Sequence, residues 1–328
     1  MESRSLNASW TVLLPVYGRA DLLQEAWSSL QCQTVSDWKL LLADDGSDAE
    51  TAAWIAAVPA KDPRTTWIRR PSNLGLFANL NQAIADHESE WLLLLCSDDR
   101  LLPHALQTLE TLRQQWPESR LLLSTHRSIC AEGSLRPAVS ARDHDRFAPR
   151  TNLIDPEAFV PLLLKYGSIN GNLSGMAFHR SLWLDAGGFR AHWRHAADWE
   201  WLVRAGARGP VVINREPIAD VRTHWRQLSE ANRRNGSELR EVAELVGELS
   251  QHPMLAGHPL RRWWAAHWMQ IQLWNLAKPP WKGPLIDRVA DLQAIHQAVG
   301  MLQTCVALVL WIPERWRQHR WHRSRDLR

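Results

Sequence analysis

The chain of 328 residues is long enough for one large domain or two ordinary ones, and its 45% hydrophobic and 22% charged content excludes a disordered chain and a polytopic membrane protein. The formal charge of +3 averages over a basic C-terminus, where Arg315, Arg317, Arg320, Arg323, Arg325 and Arg328 flank Trp316 and Trp321. Four cysteines, Cys32, Cys96, Cys130 and Cys305, form no C-x-x-C pair, which excludes a zinc knuckle or redox motif and fits a reducing compartment.

Met1–Ser9 is polar and runs directly into an apolar stretch, so no signal peptide is expected. Trp10–Pro15 predicts a first strand, and Asp21–Leu30 a helix with Leu22, Leu23, Ala26 and Leu30 at helical spacing. Trp38–Ala43 predicts a second strand, stopped by Asp44, Asp45 and Gly46. Ser47 and Asp48 are then good N-caps for a helix over Ala49–Val58. A strand at Thr66–Arg69, a helix at Leu76–Ala85 and a strongly apolar strand at Trp91–Leu95 follow. This alternation predicts a parallel sheet with crossover helices. It also puts Asp44, Asp45, Asn73, Gly75, Asp98 and Asp99 beyond the carboxyl ends of strands, where ligands of open α/β sheets bind.

Ser128–Arg150 is polar and predicts a long loop or lid. Ordered segments resume at Pro156–Lys165 and Leu173–His179, then a helix from Ser181 to the Gly187–Gly188 stop, a helix over Ala196–Ala205 and a strand over Val211–Ile213. From about Gln227 the chain is helical and rich in Trp, with breaks at Pro253, Pro259, Pro279, Pro280 and Pro284. Two regions are therefore expected, 1–226 and 227–328. The apolar run Cys305–Ile312 is too short to span a bilayer. Twenty tryptophans against two tyrosines fit sugar-stacking surfaces, interface anchors or bulky core filling, and composition does not choose among them.

Two segments carry chemistry. Leu41–Ser47, LLADDGS, sets two carboxylates at a strand end, either to accept hydrogen bonds from a nucleobase or ribose or simply to shape a turn. Trp91–Pro103, WLLLLCSDDRLLP, delivers Asp98 and Asp99 side by side. A hard cation neutralises such a pair while leaving coordination positions for diphosphate oxygens; the alternative is a solvated acidic turn.

VLLPVYGRADLLQEAWSSLQCQTVSDWKLLLADDGSDAE, RRPSNLGLFANLNQAI, WLLLLCSDDRLLP, GNLSGMAFHRSLWLDAGGF and AADWEWLVRAG occur in this order. Together they resemble the family 2 glycosyltransferases of GT-A fold, over roughly residues 10 to 226. The resemblance implies an α/β, Rossmann-like, mixed but mostly parallel sheet flanked by helices, followed here by a C-terminal helical region. It implies a nucleotide-diphospho-sugar donor, inversion, Mg²⁺ or Mn²⁺, and a carbohydrate or lipid-linked sugar acceptor in surface-polysaccharide or glycolipid assembly. Nucleic acid is not expected as a partner.

Carried over by motif, Pro15, Tyr17 and Arg19 line the nucleotide pocket, Asp45 faces the base with Asp44 beside it, and Asn73 and Gly75 sit near the nucleotide. Asp98 and Asp99 match the DXD-type motif, Asp99 as metal ligand and Asp98 reaching ribose or metal. Cys96 stands where many members have a further Asp, so one such contact is missing. Asp198 matches the catalytic base, which must reach the acceptor hydroxyl opposite the leaving diphosphate; without the resemblance it is a helix cap, with Glu200 in a surface salt bridge. His224 lies where some members place a His near metal and diphosphate, or is structural. Trp193, Trp199 and Trp201 either stack on a sugar or belong to the core.

Two rival functions remain at this stage. A sugar-nucleotidyltransferase should have a Gly-rich, Arg- or Lys-containing phosphate loop where this chain has PVYGRADLL, with one glycine and no lysine; retention of Asp45, Asp98, Asp99 and Asp198 together argues against a catalytically silent carbohydrate-binding protein, while Cys96 keeps that reading open. The Arg- and Trp-rich tail suits peripheral contact with an anionic membrane, and a cytoplasmic location at its inner face is expected.

Overall fold

Short apolar runs, each ended by polar residues, form the first half of the sheet. β1 (Trp10–Val16) pairs in parallel with β2 (Trp38–Asp44) and with β4 (Trp91–Leu94), and β2 pairs in parallel with β3 (Thr65–Arg69). The crossovers are α1 (Ala20–Gln31), α2 (Ala49–Ala57) and α3 (Leu76–Ala85). Asp48 caps α2, its Oδ1 accepting from the Thr51 N–H at 2.8 Å. The computed structural model describes residues 10–136, 148, 150–168, 173–224, 227, 228, 232, 236–277 and 285–323, with side chains except those of 285, 286 and 315–323.

The second half supplies β5 (Arg100–Leu101), α4 (Ala105–Gln115), β6 (Leu121–Ile129), β7 (Asn152–Ile154), α5 (Pro156–Tyr166), β8 (Met176–His179), α6 (Arg180–Ala186), α7 (Ala197–Gly206) and β9 (Val211–Arg222). The nine strands make one mixed sheet in the order β3-β2-β1-β4-β8-β6-β9-β5, with β7 also on β9. β8 is antiparallel to both β4 and β6, and β9 runs parallel to β6 but antiparallel to β5 and β7.

Two expectations are corrected. The strand expected at Val211–Ile213 continues to Arg222, because a bulge between Ser124 and His126 lets β6 stay paired with it. The expected long loop from Ser128 is ordered at its start, where Ser128 and Ile129 pair with Val221 and Arg222. Residues 137–147 and 149 of that segment lie outside the described residues.

The core under the sheet joins Trp10, Leu23, Leu30, Trp38, Leu42 and Leu93 to Leu106, Leu109 and Val212. Trp10 and Trp91 pack at 5.3 Å between ring centroids. At the edge, Asp62 accepts from Gln31 Nε2 at 2.8 Å and from Arg64 Nη2 at 2.7 Å, while the Arg64 guanidinium lies 3.7 Å over the Trp38 ring. The Arg64 bonds hold the Asp62 carboxyl down at about 2. A depressed carboxylate stabilises the fold above its unfolded pKa, near 4, and loses that contribution as pH falls towards 2. Asp62→Asn is therefore expected to cost about 2 kcal/mol at pH 7. Urea unfolding at pH 7 and pH 3 checks this: the gap between the two proteins should narrow at pH 3, and a constant gap would contradict the account.

The chain forms two compact units, Met1–Gln227 and Leu228–Arg328. In the second unit α8 (Ser237–Ser250) buries Leu239, Val242, Ala243, Val246 and Leu249 at helical spacing. It packs on α9 (Arg261–Ala277) and α10 (Leu285–Val299), and α9 packs on α11 (Met301–Arg323). Arg240 of α8 binds Asp291 of α10 at 2.8 Å. Among the described residues, no single helix is long and apolar enough to cross a membrane.

Candidate active site

The carboxyl ends of β1 and β2 are level, with Val16 opposite Asp44. Asp44 is fully buried and shapes the turn: its Oδ1 accepts from the Ser47 N–H at 2.8 Å, and Arg69 Nε lies 3.6 Å from Oδ2. Asp45 reaches across to the loop before α3, accepting from the Leu74 and Gly75 N–H groups at 2.8 and 2.9 Å. Asn73 accepts from the same Gly75 N–H at 2.9 Å. Gly46 makes this approach possible, since its φ is +77° and a Cβ there would meet the Ser72 carbonyl carbon at 3.0 Å. Asp45, Asn73 and Gly75 thus form one unit, while Pro15 is buried in β1 and the Tyr17 ring is exposed.

Arg19 begins α1 with φ +66° and ψ +60°, the one non-glycine residue with positive φ among those described. Such a backbone costs on the order of 1–3 kcal/mol and persists only when its surroundings hold it. Its Nη1 lies 3.3 Å from His224 Nε2, and that nitrogen is 3.0 Å from Asp98 Oδ2. Arg19, Asp98 and His224, from the ends of β1, β4 and β9, therefore converge.

The turn between β4 and β5 carries Cys96, Asp98 and Asp99. β5 pairs with β9, Arg100 opposite Asp220, which brings this turn beside the end of β9. Asp99 is buried, and both its oxygens accept: Oδ1 from the Arg222 N–H at 2.8 Å and Oδ2 from Ser174 Oγ at 2.5 Å. The Cys96 N–H donates to the same Ser174 hydroxyl at 2.9 Å. Arg222, 1% exposed, completes the brace. Its Nε donates to the Asp98 carbonyl at 2.9 Å, Nη1 to the Ala131 carbonyl at 2.7 Å and Nη2 to Glu25 Oε2 at 2.5 Å. Asp98 is the more open carboxylate of the pair.

One ligand atom each from Cys96, Asp98 and Asp99 lies within 4.8 Å of the others. The two carboxylates of that group fit a hard divalent ion, since each oxygen keeps a second lone pair beyond its protein bond, whereas the thiol does not fit one. Burial pushes the Cys96 thiol well above its ordinary pKa, followed by the negative charges of Asp99, Asp98 and, more weakly, Asp198. The field of Asp198 therefore reaches the same place. Asp198 sits in the first turn of α7, with Oδ1 accepting from the Trp199 N–H at 2.8 Å.

Two readings of this helix are corrected. Glu200 is buried, not in a surface salt bridge. It is forked onto Arg204 at 2.6 and 2.7 Å and lies 3.3 Å from Arg190, while Arg204 also donates to the Ala186, Gly187 and Gly188 carbonyls. Trp193, Trp199 and Trp201 are all buried, and Trp201 packs on Phe178 and Phe189 at 5.0 and 5.3 Å. They are core residues and offer no stacking surface. Ser174, Arg222 and Glu25 carry no local sequence signal, because their partners are remote; Arg222 and Asp99 are 123 residues apart.

The family described as Glycosyl transferase family 2 matches residues 11–119. The chain is 26% identical over 270 residues to the uncharacterized protein MT1568 of Mycobacterium tuberculosis, covering 80% of this chain and 82% of that one. It is 29% identical over 100 residues to a GalNAc(5)-diNAcBac-PP-undecaprenol beta-1,3-glucosyltransferase of Campylobacter jejuni, covering 30% and 32%. Among solved structures, S. aureus TarS 1-349 in complex with UDP-GlcNAc superposes with a TM-score of 0.64 at 16% identity, covering 90% and 82%. Mannosyltransferase PcManGT from Pyrobaculum calidifontis, in complex with GDP-Man and Mn²⁺, gives 0.56 at 14%, covering 92% and 86%. The match to the glycosyl transferase family 2 description is confined to residues 11–119, and the mixed sheet is a GT-A fold.

Proposed function

We propose that the protein transfers a sugar from a nucleoside-diphosphate sugar to a hydroxyl acceptor with inversion at the anomeric carbon. The observation that carries this reading is the convergence of Arg19, Asp98 and His224 at the strand ends. The Arg19 guanidinium, with its planar set of donors, suits diphosphate oxygens. The brace of Asp45 on Leu74 and Gly75 supports a nucleoside seat built from the β1, β2 and pre-α3 loops.

Asp198 takes the proton of the acceptor hydroxyl as its oxygen bonds to the anomeric carbon, and the bond from that carbon to the diphosphate breaks with its electron pair leaving on oxygen. Asp98 would hold Mg²⁺ or Mn²⁺ together with His224, and Asp99, already committed to Ser174 and Arg222, fixes the turn and offers a further oxygen. Such an ion, when bound, offsets the charge growing on the leaving diphosphate. A surface-polysaccharide or lipid-linked acceptor is favoured by the likeness to the Campylobacter GalNAc(5)-diNAcBac-PP-undecaprenol beta-1,3-glucosyltransferase.

Titration calorimetry with UDP, GDP and dTDP, each with and without Mn²⁺, tests the reading. One nucleotide should bind with an affinity raised at least tenfold by the ion, and the matching nucleotide sugars should be turned over with release of the nucleoside diphosphate. Metal-dependent binding without turnover would leave only a silent binding protein, and no binding at all would overturn the proposal.

A further inference from the structure

The last helix is built inside out. On α11, Leu302, Val306, Val309 and Leu310 fall on one face by their spacing, and they are 79%, 49%, 63% and 61% exposed. The opposite face, with Thr304 and Ala307, is the buried one. Exposed Cys305 and Pro313 extend the outward stripe. Val289 and Leu292 are also exposed on α10, the neighbouring helix across a 92° bend at Gly300. Single exposed leucines are ordinary, but a whole apolar helical face turned to solvent is not.

We propose that this face lies flat on an anionic lipid bilayer, with α11 in the interface plane. Charge complementarity selects the occupant. Directly after the stripe, the sequence from Glu314 to Arg328 holds six arginines and two tryptophans against two acids, Glu314 and Asp326. Arginine beside apolar and indole side chains matches anionic headgroups above an acyl layer, whereas a second copy would bring six further arginines against these. The side chains of 315–323 and all of 324–328 lie outside the described residues, and their contribution here is one of composition. α10 and α11 pass a spanning test only jointly and across the sharp bend, which fits lying on the membrane better than crossing it.

Flotation of the full-length protein with vesicles of phosphatidylglycerol and phosphatidylcholine, and with phosphatidylcholine alone, tests this. The wild type should float with the anionic vesicles and much less with the neutral ones. Val309→Glu and Leu310→Glu each remove one exposed apolar side chain and no core volume, so melting should be unchanged while binding falls roughly tenfold per site. Wild-type protein that stays in the dense fraction, or glutamate variants that float as well as wild type, would overturn the proposal. So would a wild-type dimer in sedimentation velocity that the same variants dissociate, which would assign the face to a second copy.

Discussion

Asp198→Asn is expected to leave nucleotide and metal affinity within about twofold of wild type while lowering release of the nucleoside diphosphate by the roughly 10² to 10⁴ fold assigned to general base catalysis. Asparagine keeps the shape of the side chain, and its oxygen can still accept from the Trp199 N–H that the carboxylate holds at 2.8 Å. It cannot take a proton. Two residues on, Glu200→Gln should behave in the opposite way. It loosens the fork to Arg204 and through it the carbonyls of Gly187 and Gly188, lowering stability by about 1.5–3 kcal/mol as for bonds to a charged group. Any loss of turnover in that variant should follow its folded fraction. Steady-state release and thermal melting of both variants separate the roles, and near-normal turnover by Asp198→Asn would remove it as the base.

The second large effect is expected at Arg222. Its guanidinium holds the Asp98 carbonyl, the Ala131 carbonyl and Glu25, and its own N–H holds Asp99. Arg222→Met keeps the backbone bond and fills much of the same volume but abandons the three side-chain bonds. Breaking a buried ionic brace from one side costs about 3–5 kcal/mol. Because the abandoned carbonyl belongs to Asp98 itself, Mn²⁺ dependence of nucleotide binding should fall along with the melting temperature. Arg222→Lys gathers its donors on one nitrogen where three separate positions were needed, so it should recover part of the stability and little of the metal dependence. A methionine variant that melts normally and keeps its response to Mn²⁺ would show that the turn is held by other means.

The first half of the fold is legible because β1, β2 and β4 are strongly apolar runs and α2 has its own start signal at Asp48. The second half is harder to read. β6 carries Ser124, Thr125 and Ser128 among its apolar residues, and β9 passes through Asn214, Arg215, Glu216 and Pro217, so neither alternates cleanly until the two are laid side by side across a bulge. β5 and β7, at two and three residues, are too short to leave a period at all. The same contrast holds in the site. The acidic pairs at 44–45 and 98–99 stand out in the sequence, but nothing local says that Asp45 braces a loop 29 residues away or that Asp99 is the sequestered member of its pair. Residues that act by holding others, such as Ser174 and Arg222, have no signature apart from the contact itself.

The order of strands in the sheet also sets an order of assembly. β1 to β4 pair among themselves within the first hundred residues, whereas the next strand in space, β8, arrives more than eighty residues later, with Leu92 opposite Phe178. During synthesis from the N-terminus, the parallel half therefore waits with the open edge of β4 unpaired, a state prone to association with other chains. Asp98 and Asp99 wait with it, since Ser174, Arg222 and His224 emerge last. The convergence of Arg19, Asp98 and His224 is therefore incomplete in a nascent chain until β9 is in register, and limited proteolysis of ribosome-bound chains of increasing length would time the closing of the sheet.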